Sequence, residues 1–156
     1  MKNTITTIAL LCLCFGAFPL SAQVKDDDVS AFVASLPAIM AKIPHGPTAL
    51  VHNAWNGNLS QRIAEQTGKK IDLESSWLRC REGADVRRNT CSLKDVASLV
   101  NLGSVSIAGD VATVIFDIEL PTGSTEGPIE HSLFRVDLKR AGAAWVVVGV
   151  RQFGMS

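Results

Sequence analysis

Two groups of side chains in this 156-residue chain have the types and spacing that recognition or catalysis requires. The first is an alternating set: Asp117 and Glu119, then His131, Arg135 and Asp137, then Arg151 and Phe153. Residues two apart in a strand share a face, so these acidic, basic and imidazole groups stand together, with Ile115, Leu133 and Val147 among them. Cross-strand pairing sets His131 opposite Glu119, or opposite Asp117 after a two-residue shift. Such pairs stabilise a sheet by about 0.2–1 kcal/mol each. A face that mixes His131, Arg135, Arg151 and Phe153 with apolar residues also suits a homodimer or partner interface. The second group is basic: Arg79, Arg81, Arg87, Arg88 and Lys94, offset between residues 79 and 94 only by Glu82 and Asp85. Cys80 and Cys91 bracket most of it. A stapled basic loop fits an acidic cleft on a protein partner, and the staple lowers the ordering cost of binding.

Other chemistries find less support. His45 and His52 are seven apart, and neither His-x3-His nor Cys-x2-Cys spacing occurs, so no metal centre is expected. Gly-x-Ser-x-Gly and a glycine-rich phosphate loop are absent, and no cofactor is implied. His45, His52 and Asp72 are the groups the first half of the chain offers for general acid–base work.

The elements that position these residues start after residue 22. Lys2, an apolar stretch centred on residues 8–18, Pro19, and small Ser21 and Ala22 form the pattern of a secretory signal peptide. The apolar run is shorter than the roughly 20 residues that span a bilayer. The expectation is a signal at 1–22, no stable membrane span after cleavage, and one α+β domain over 23–156, periplasmic or secreted. The signal would remove Cys12 and Cys14, leaving Cys80 and Cys91 as an even pair that reads as a disulfide in an exported protein. The chain as a whole holds 15 basic and 15 acidic residues, a balance that argues against nucleic acid as partner.

Asp26-Asp-Asp28 precedes Val29, Phe32, Val33, Leu36, Met40 and Ile43, which is helical spacing with carboxylates at the positive end of the dipole. Pro37 predicts a kink or a split into two helices. Further helical turns are predicted over Thr48–Trp55, over Ser60–Gln66 with Ser60 as cap and Gly68 past the end, and from Ser92-Leu-Lys-Asp95 through Val100. Residues 70–82 fit a strand or a helix equally.

From Ser104 the period becomes two. Gly109-Asp110 predicts a type II′ hairpin turn. It pairs Ile107 with Ala112 and Val105 with Val114. Phe116 then pairs with Phe134 and Val114 with Val136. Leu138 pairs with Val146 and Val136 with Val148. The expected fold is α+β: N-terminal helices packed on the apolar face of a four-stranded antiparallel meander sheet.

The stretches Val105–Ile107, Gly109-Asp110, Val111–Leu120, Phe134–Leu138 and Gly142-Ala-Ala-Trp145-Val-Val-Val148 resemble the nuclear transport factor 2-like (cystatin-like α+β) superfamily over about residues 26–153. The resemblance implies a pocket between helices and a concave sheet face. It implies a role among isomerases, dehydratases, ligand binders and association modules, and does not decide between them. The sheet face expected to line that pocket carries only Val, Ile, Phe, Leu and Ala. The resulting expectation is an exported, non-enzymatic protein-binding module of the inhibitor or immunity-protein kind. The alternatives are a carrier of a small apolar ligand, or an enzyme of that superfamily.

Overall fold

The computed structural model describes residues 25–43, 46–52, 57–80, 91–122 and 128–155. The signal-like residues 1–22, His45, and the basic residues Arg81, Arg87 and Arg88 lie outside them. The elements in order are α1 (Asp26–Met40), β1 (Thr48–His52), α2 (Gly57–Thr67), β2 (Ile71–Leu73), a 3-10 turn (Glu74–Trp77), β3 (Leu78–Cys80), β4 (Cys91–Leu93), β5 (Ser98–Ala108), β6 (Val111–Pro121), β7 (Ile129–Ala141) and β8 (Ala144–Met155). No helix among the described residues is long and apolar enough to cross a membrane.

The fold is α+β, but its sheet is larger than the sequence predicts. Six strands run in the order β2-β1-β5-β6-β7-β8, and β3 and β4 form a separate two-stranded ribbon. The β5–β8 part is an antiparallel meander, whereas β1 pairs in parallel with both β2 and β5. Two of the predicted helices are strands. Thr48–His52 is buried on both faces, with Leu50 in the core beneath the helices and Ala49 and Val51 in the cluster on the other side. A continuous apolar run of that length fits a two-sided strand as well as a helix. The capping box at Ser92–Asp95 opens no helix: Asp95 takes φ 60° between β4 and β5. The strand predicted to start at Ser104 starts at Ser98.

α1 runs through Pro37 without dividing, and Pro37 is exposed on its last turn. α2 begins three residues before Ser60, which sits buried inside it, and Gly68 N–H closes the helix on Ala64 O at 2.8 Å. Two of the three carboxylates at the start of α1 have work beyond the dipole. Asp26 meets Arg62 of α2, and Asp27 accepts a hydrogen bond from Arg140 of β7 at 2.9 Å. The Arg140 guanidinium also lies 4.2 Å from the centre of the buried Trp145 ring, so one cation ties helix, strand and aromatic together.

The two tight turns of the meander are alike. Gly109 (φ 60°) and Gly142 (φ 64°) take the first turn position, and neither Asp110 nor Ala143 has a positive φ. That is the type II′ pattern, whose twist matches that of the flanking strands. The predicted pairs Ile107–Ala112, Val105–Val114, Phe116–Phe134 and Val114–Val136 are all present. On β8 the predicted register fails. Leu138 pairs with Val147 because the turn holds only Gly142 and Ala143, and Val136 pairs with Val150 because the register shifts once more between Asp137 and Leu138. The turn register sets Val146 outward and Val148 is the extra residue, and the two are 49% and 65% exposed.

Both sheet faces carry a core. On one, Phe32, Leu36 and Ile39 of α1 and Ile63 of α2 pack against Val100, Leu102, Val114, Phe116, Ile118, Val136 and Leu138. Phe32 and Phe116 meet edge-on with centroids 5.6 Å apart. On the other, the β3–β4 ribbon, stapled by the Cys80–Cys91 disulfide, sets Cys91 and Leu93 on Ala49, Val51, Leu99 and Ile129, flanked by Trp77 and Leu78. Arg79 is exposed on this ribbon, opposite Ser92. β8 is a sheet edge, as is the three-residue β2.

Two outcomes are expected in urea unfolding. Phe116→Ala lowers stability by about 3–5 kcal/mol, the usual cost of truncating a fully buried Phe. A Cys80→Ser/Cys91→Ser double variant loses about 3 kcal/mol, as the chain-entropy model gives for a ring of this size. A double variant with an unchanged urea midpoint would show that the ribbon layer holds without its staple.

Candidate functional site

The outer sheet face, opposite the helices, brings together the acidic and imidazole groups. Asp117 and Glu119 are two apart on β6, and alternation with the core residues Phe116 and Ile118 directs both to this face. β7 sets His131 directly opposite Glu119, and β5 sets Asn101 opposite Asp117. Glu74, in the 3-10 turn that follows β2, is the fifth member and joins from the layer above the sheet.

The contacts are short and specific. His131 Nδ1 and Asp117 Oδ2 are 2.9 Å apart, a diagonal contact to Asp117 although Glu119 is the residue directly opposite. Asn101 Nδ2 donates to Glu74 Oε2 at 2.6 Å. Burial increases inward: the His131 and Asp117 side chains are 29% and 26% exposed, while Glu119 is 1% exposed. Three oxygens here are buried with no hydrogen-bond partner: Asn101 Oδ1, Asp117 Oδ1 and Glu119 Oε1. All are acceptors. One oxygen or nitrogen of each of Asp117, Glu119 and His131 lies within 4.8 Å of the others.

These groups perturb one another. Burial pushes the Glu119 carboxyl up to about 7, with Glu74 and Asp117 adding to the rise and His131 opposing it. Burial also raises Glu74, against the charge of His131. The hydrogen bond that His131 donates to Asp117 raises His131, and burial works the other way. No lysine or arginine among the described residues figures in these three shifts.

The remaining residues expected at this face form a different arrangement. Burial works to raise the Asp137 carboxyl. The hydrogen bond from Arg135 Nε at 2.6 Å, the charge of Arg135 and Arg151 and the Thr113 hydrogen bond together outweigh it and hold the carboxyl below its ordinary value. Arg151 Nη2 reaches the other oxygen of Asp137 at 3.2 Å. Arg135 and Arg151 are therefore engaged by a carboxylate of their own sheet. Phe153 is 54% exposed on the edge strand. The interface set thus separates into a self-satisfied ion network and an acidic site that holds His131.

Asn101 and Glu74 are the members that sequence patterning did not reach. Asn101 falls in a stretch that reads as the end of a helix, and Glu74 in the stretch that fits strand and helix equally. The one available signal was a polar Asn101 within the apolar run Leu99–Leu102. The expectation of no metal constellation rested on spacing within one segment. The three groups that meet here come from two strands.

The helix–sheet interface expected to hold a pocket is filled where Phe32 meets Phe116. A recess of about 490 Å³ lies beside β1, lined by residues that include Met40 at the end of α1, Leu50, Lys70, Asp72, Trp77 and Asp95. Comparison with protein-family models, with curated proteins and with solved structures returned no match to this chain.

The pH dependence has a definite sign. Glu119 folds with its pKa at about 7 against an ordinary 4.5. The folded chain therefore holds a proton that the unfolded chain releases across that interval, and stability falls as pH rises through it. The raised pKa of His131 acts in the same direction, with its contribution lost as pH rises through the folded value. Thermal melts should show Tm falling from about pH 5 to about pH 8, and Glu119→Gln should flatten part of that slope. A wild-type Tm that climbs across this window would contradict the assignment.

Proposed function

We propose that the protein is an exported binding module whose site is the Glu74–Asn101–Asp117–Glu119–His131 cluster, and that this site takes a positively charged group. The observation that carries the reading is the set of three buried acceptor oxygens with no donor. Buried polar groups are normally satisfied, and each one left open costs about 1–3 kcal/mol. Two of these oxygens belong to the carboxylates of Asp117 and Glu119, and with Glu74 and a single imidazole alongside, the ionised set above about pH 7 is complementary to a cation. The source of the charge is either a metal ion or a basic side chain of a partner protein.

Export is supported by the signal-like pattern of residues 1–22 together with the Cys80–Cys91 disulfide. Kinship with the nuclear transport factor 2-like superfamily belongs to the same proposal, and is supported by the order of α1 and α2 before the β5–β8 meander. A binding role is favoured over an enzymatic one by the tightness of the cluster. Ligand atoms within 4.8 Å of one another leave room for an ion or the tip of a charged side chain rather than an extended substrate.

Thermal melts at about pH 7.5 test this reading. A tri-arginine peptide and the chlorides of divalent metals serve as probes. At least one should raise Tm by several degrees in the wild type, as any ligand selective for the folded state does. Glu119→Gln should abolish the gain. The reading is lost if no probe moves the wild-type Tm, or if the variant gains as much.

A further inference from the structure

We propose that Asp117, Glu119 and His131 form a binding site for one divalent transition-metal ion, of the zinc or manganese kind, with Asn101 and Glu74 as its oxygen neighbours. The inference rests on the cation-site reading and names the cation.

Geometry is the first support. Metal–ligand bonds to imidazole nitrogen and carboxylate oxygen are about 2.0–2.2 Å long, so three ligand atoms within 4.8 Å of one another can share one ion after small side-chain adjustments. The scaffold is firm. Asp117 and Glu119 sit on β6, a central strand, and His131 is in direct register with Glu119 on β7. Sites built on paired strands hold their ligands more accurately than sites on loops.

The second support is independent of the clustering of acids. Glu119 is 1% exposed, lies within ligand distance of the other two residues, and keeps Oε1 without a partner. Asn101, 8% exposed, uses its amide nitrogen on Glu74 and leaves Oδ1 open. Asp117 uses Oδ2 on His131 and leaves Oδ1 open. A metal ion would take lone pairs from Asp117, Glu119 and His131 together. The partial exposure of Asp117 and His131 gives an ion its way in.

The donor set selects the ion. One imidazole with two or more carboxylates matches zinc, manganese and their first-row neighbours, while magnesium and calcium prefer oxygen alone. Thiolate-seeking ions find no ligand here, since Cys80 and Cys91 are joined to each other. The Asn101–Glu74 hydrogen bond would stay as an outer contact beside the ion, while the His131–Asp117 contact would give way to the ion the two residues share.

The test is calorimetric titration of the chelator-stripped protein with zinc chloride and, separately, manganese chloride. One ion per chain is expected for at least one metal. Glu119→Gln, Asp117→Asn and His131→Ala should each weaken binding at least tenfold. Asp137→Asn, on the same face but in the arginine network, should leave it unchanged. Urea midpoints establish that each variant is folded. Asp117→Asn, at a partly exposed position, keeps the test open if a buried variant does not fold. Cobalt(II) supplies a second readout, because its visible bands respond to loss of the imidazole in His131→Ala. The proposal is overturned if neither metal binds at up to about millimolar concentration, or if binding survives all three ligand substitutions. A protein that ignores both metals yet is stabilised by tri-arginine, with Glu119→Gln abolishing the effect, loses the ion and keeps the cation site.

Discussion

Alternation along β6 forces Ile118 and Glu119 onto opposite faces, and much of the structure follows from where each can go. Ile118 belongs with Phe116 and Val114 beneath α1. Glu119 is then committed to the outer face, where it is nevertheless 1% exposed. A slip of one residue would exchange the two, sending a carboxylate under the helices and an isoleucine among acids. The register is held against this by the close-fitting type II′ turn at Gly109 and by the long run of paired residues with β7. The acidic site is thus a by-product of the same alternation that builds the main core.

The β3–β4 ribbon explains why the outer face is not uniformly wet. Cys91 and Leu93 bury Leu99 and Ile129 near the starts of β5 and β7, and the 3-10 turn beside the ribbon delivers Glu74 to Asn101. Farther along the same face, Arg135, Asp137, Arg151 and Thr113 satisfy one another in a more exposed setting. Two polar groupings on one sheet therefore behave differently. The one near the ribbon is desolvated and short of donors; the one away from it is solvated and balanced.

The meander was legible in the sequence because its signals are local. A Gly-first turn and a period of two specify Val105–Val114 and Phe116–Phe134 without reference to the rest of the chain. The parallel pairing of β1 was not legible. Ala49-Leu-Val51 is an apolar run whose burial on both faces depends on β5 and on the ribbon, both distant in sequence. β5 itself begins inside a segment with a helix-like cap, and tertiary pairing overrides that local preference. The shift on β8 was equally invisible, since Val146, Val147 and Val148 are interchangeable as residue types. Of the site, the β6–β7 members could be named from pattern, because strand alternation and hairpin register place them. Glu74 and Asn101 could not, because a three-dimensional layer brings them in.

The two shifts in the β7–β8 pairing bear on how the protein meets other copies of itself. One border of the sheet, β2, presents three residues, while β8 presents twelve. A long free border is a template on which foreign strands can hydrogen-bond and stack. Here the pairing is dislocated between Leu133 and Phe134 and again between Asp137 and Leu138. Each dislocation bends the border and interrupts the even spacing of its outward amides and carbonyls. With Arg151 exposed between them, the border is cut into short tracts, which discourages fibrous growth from the side of the sheet with the most exposed backbone.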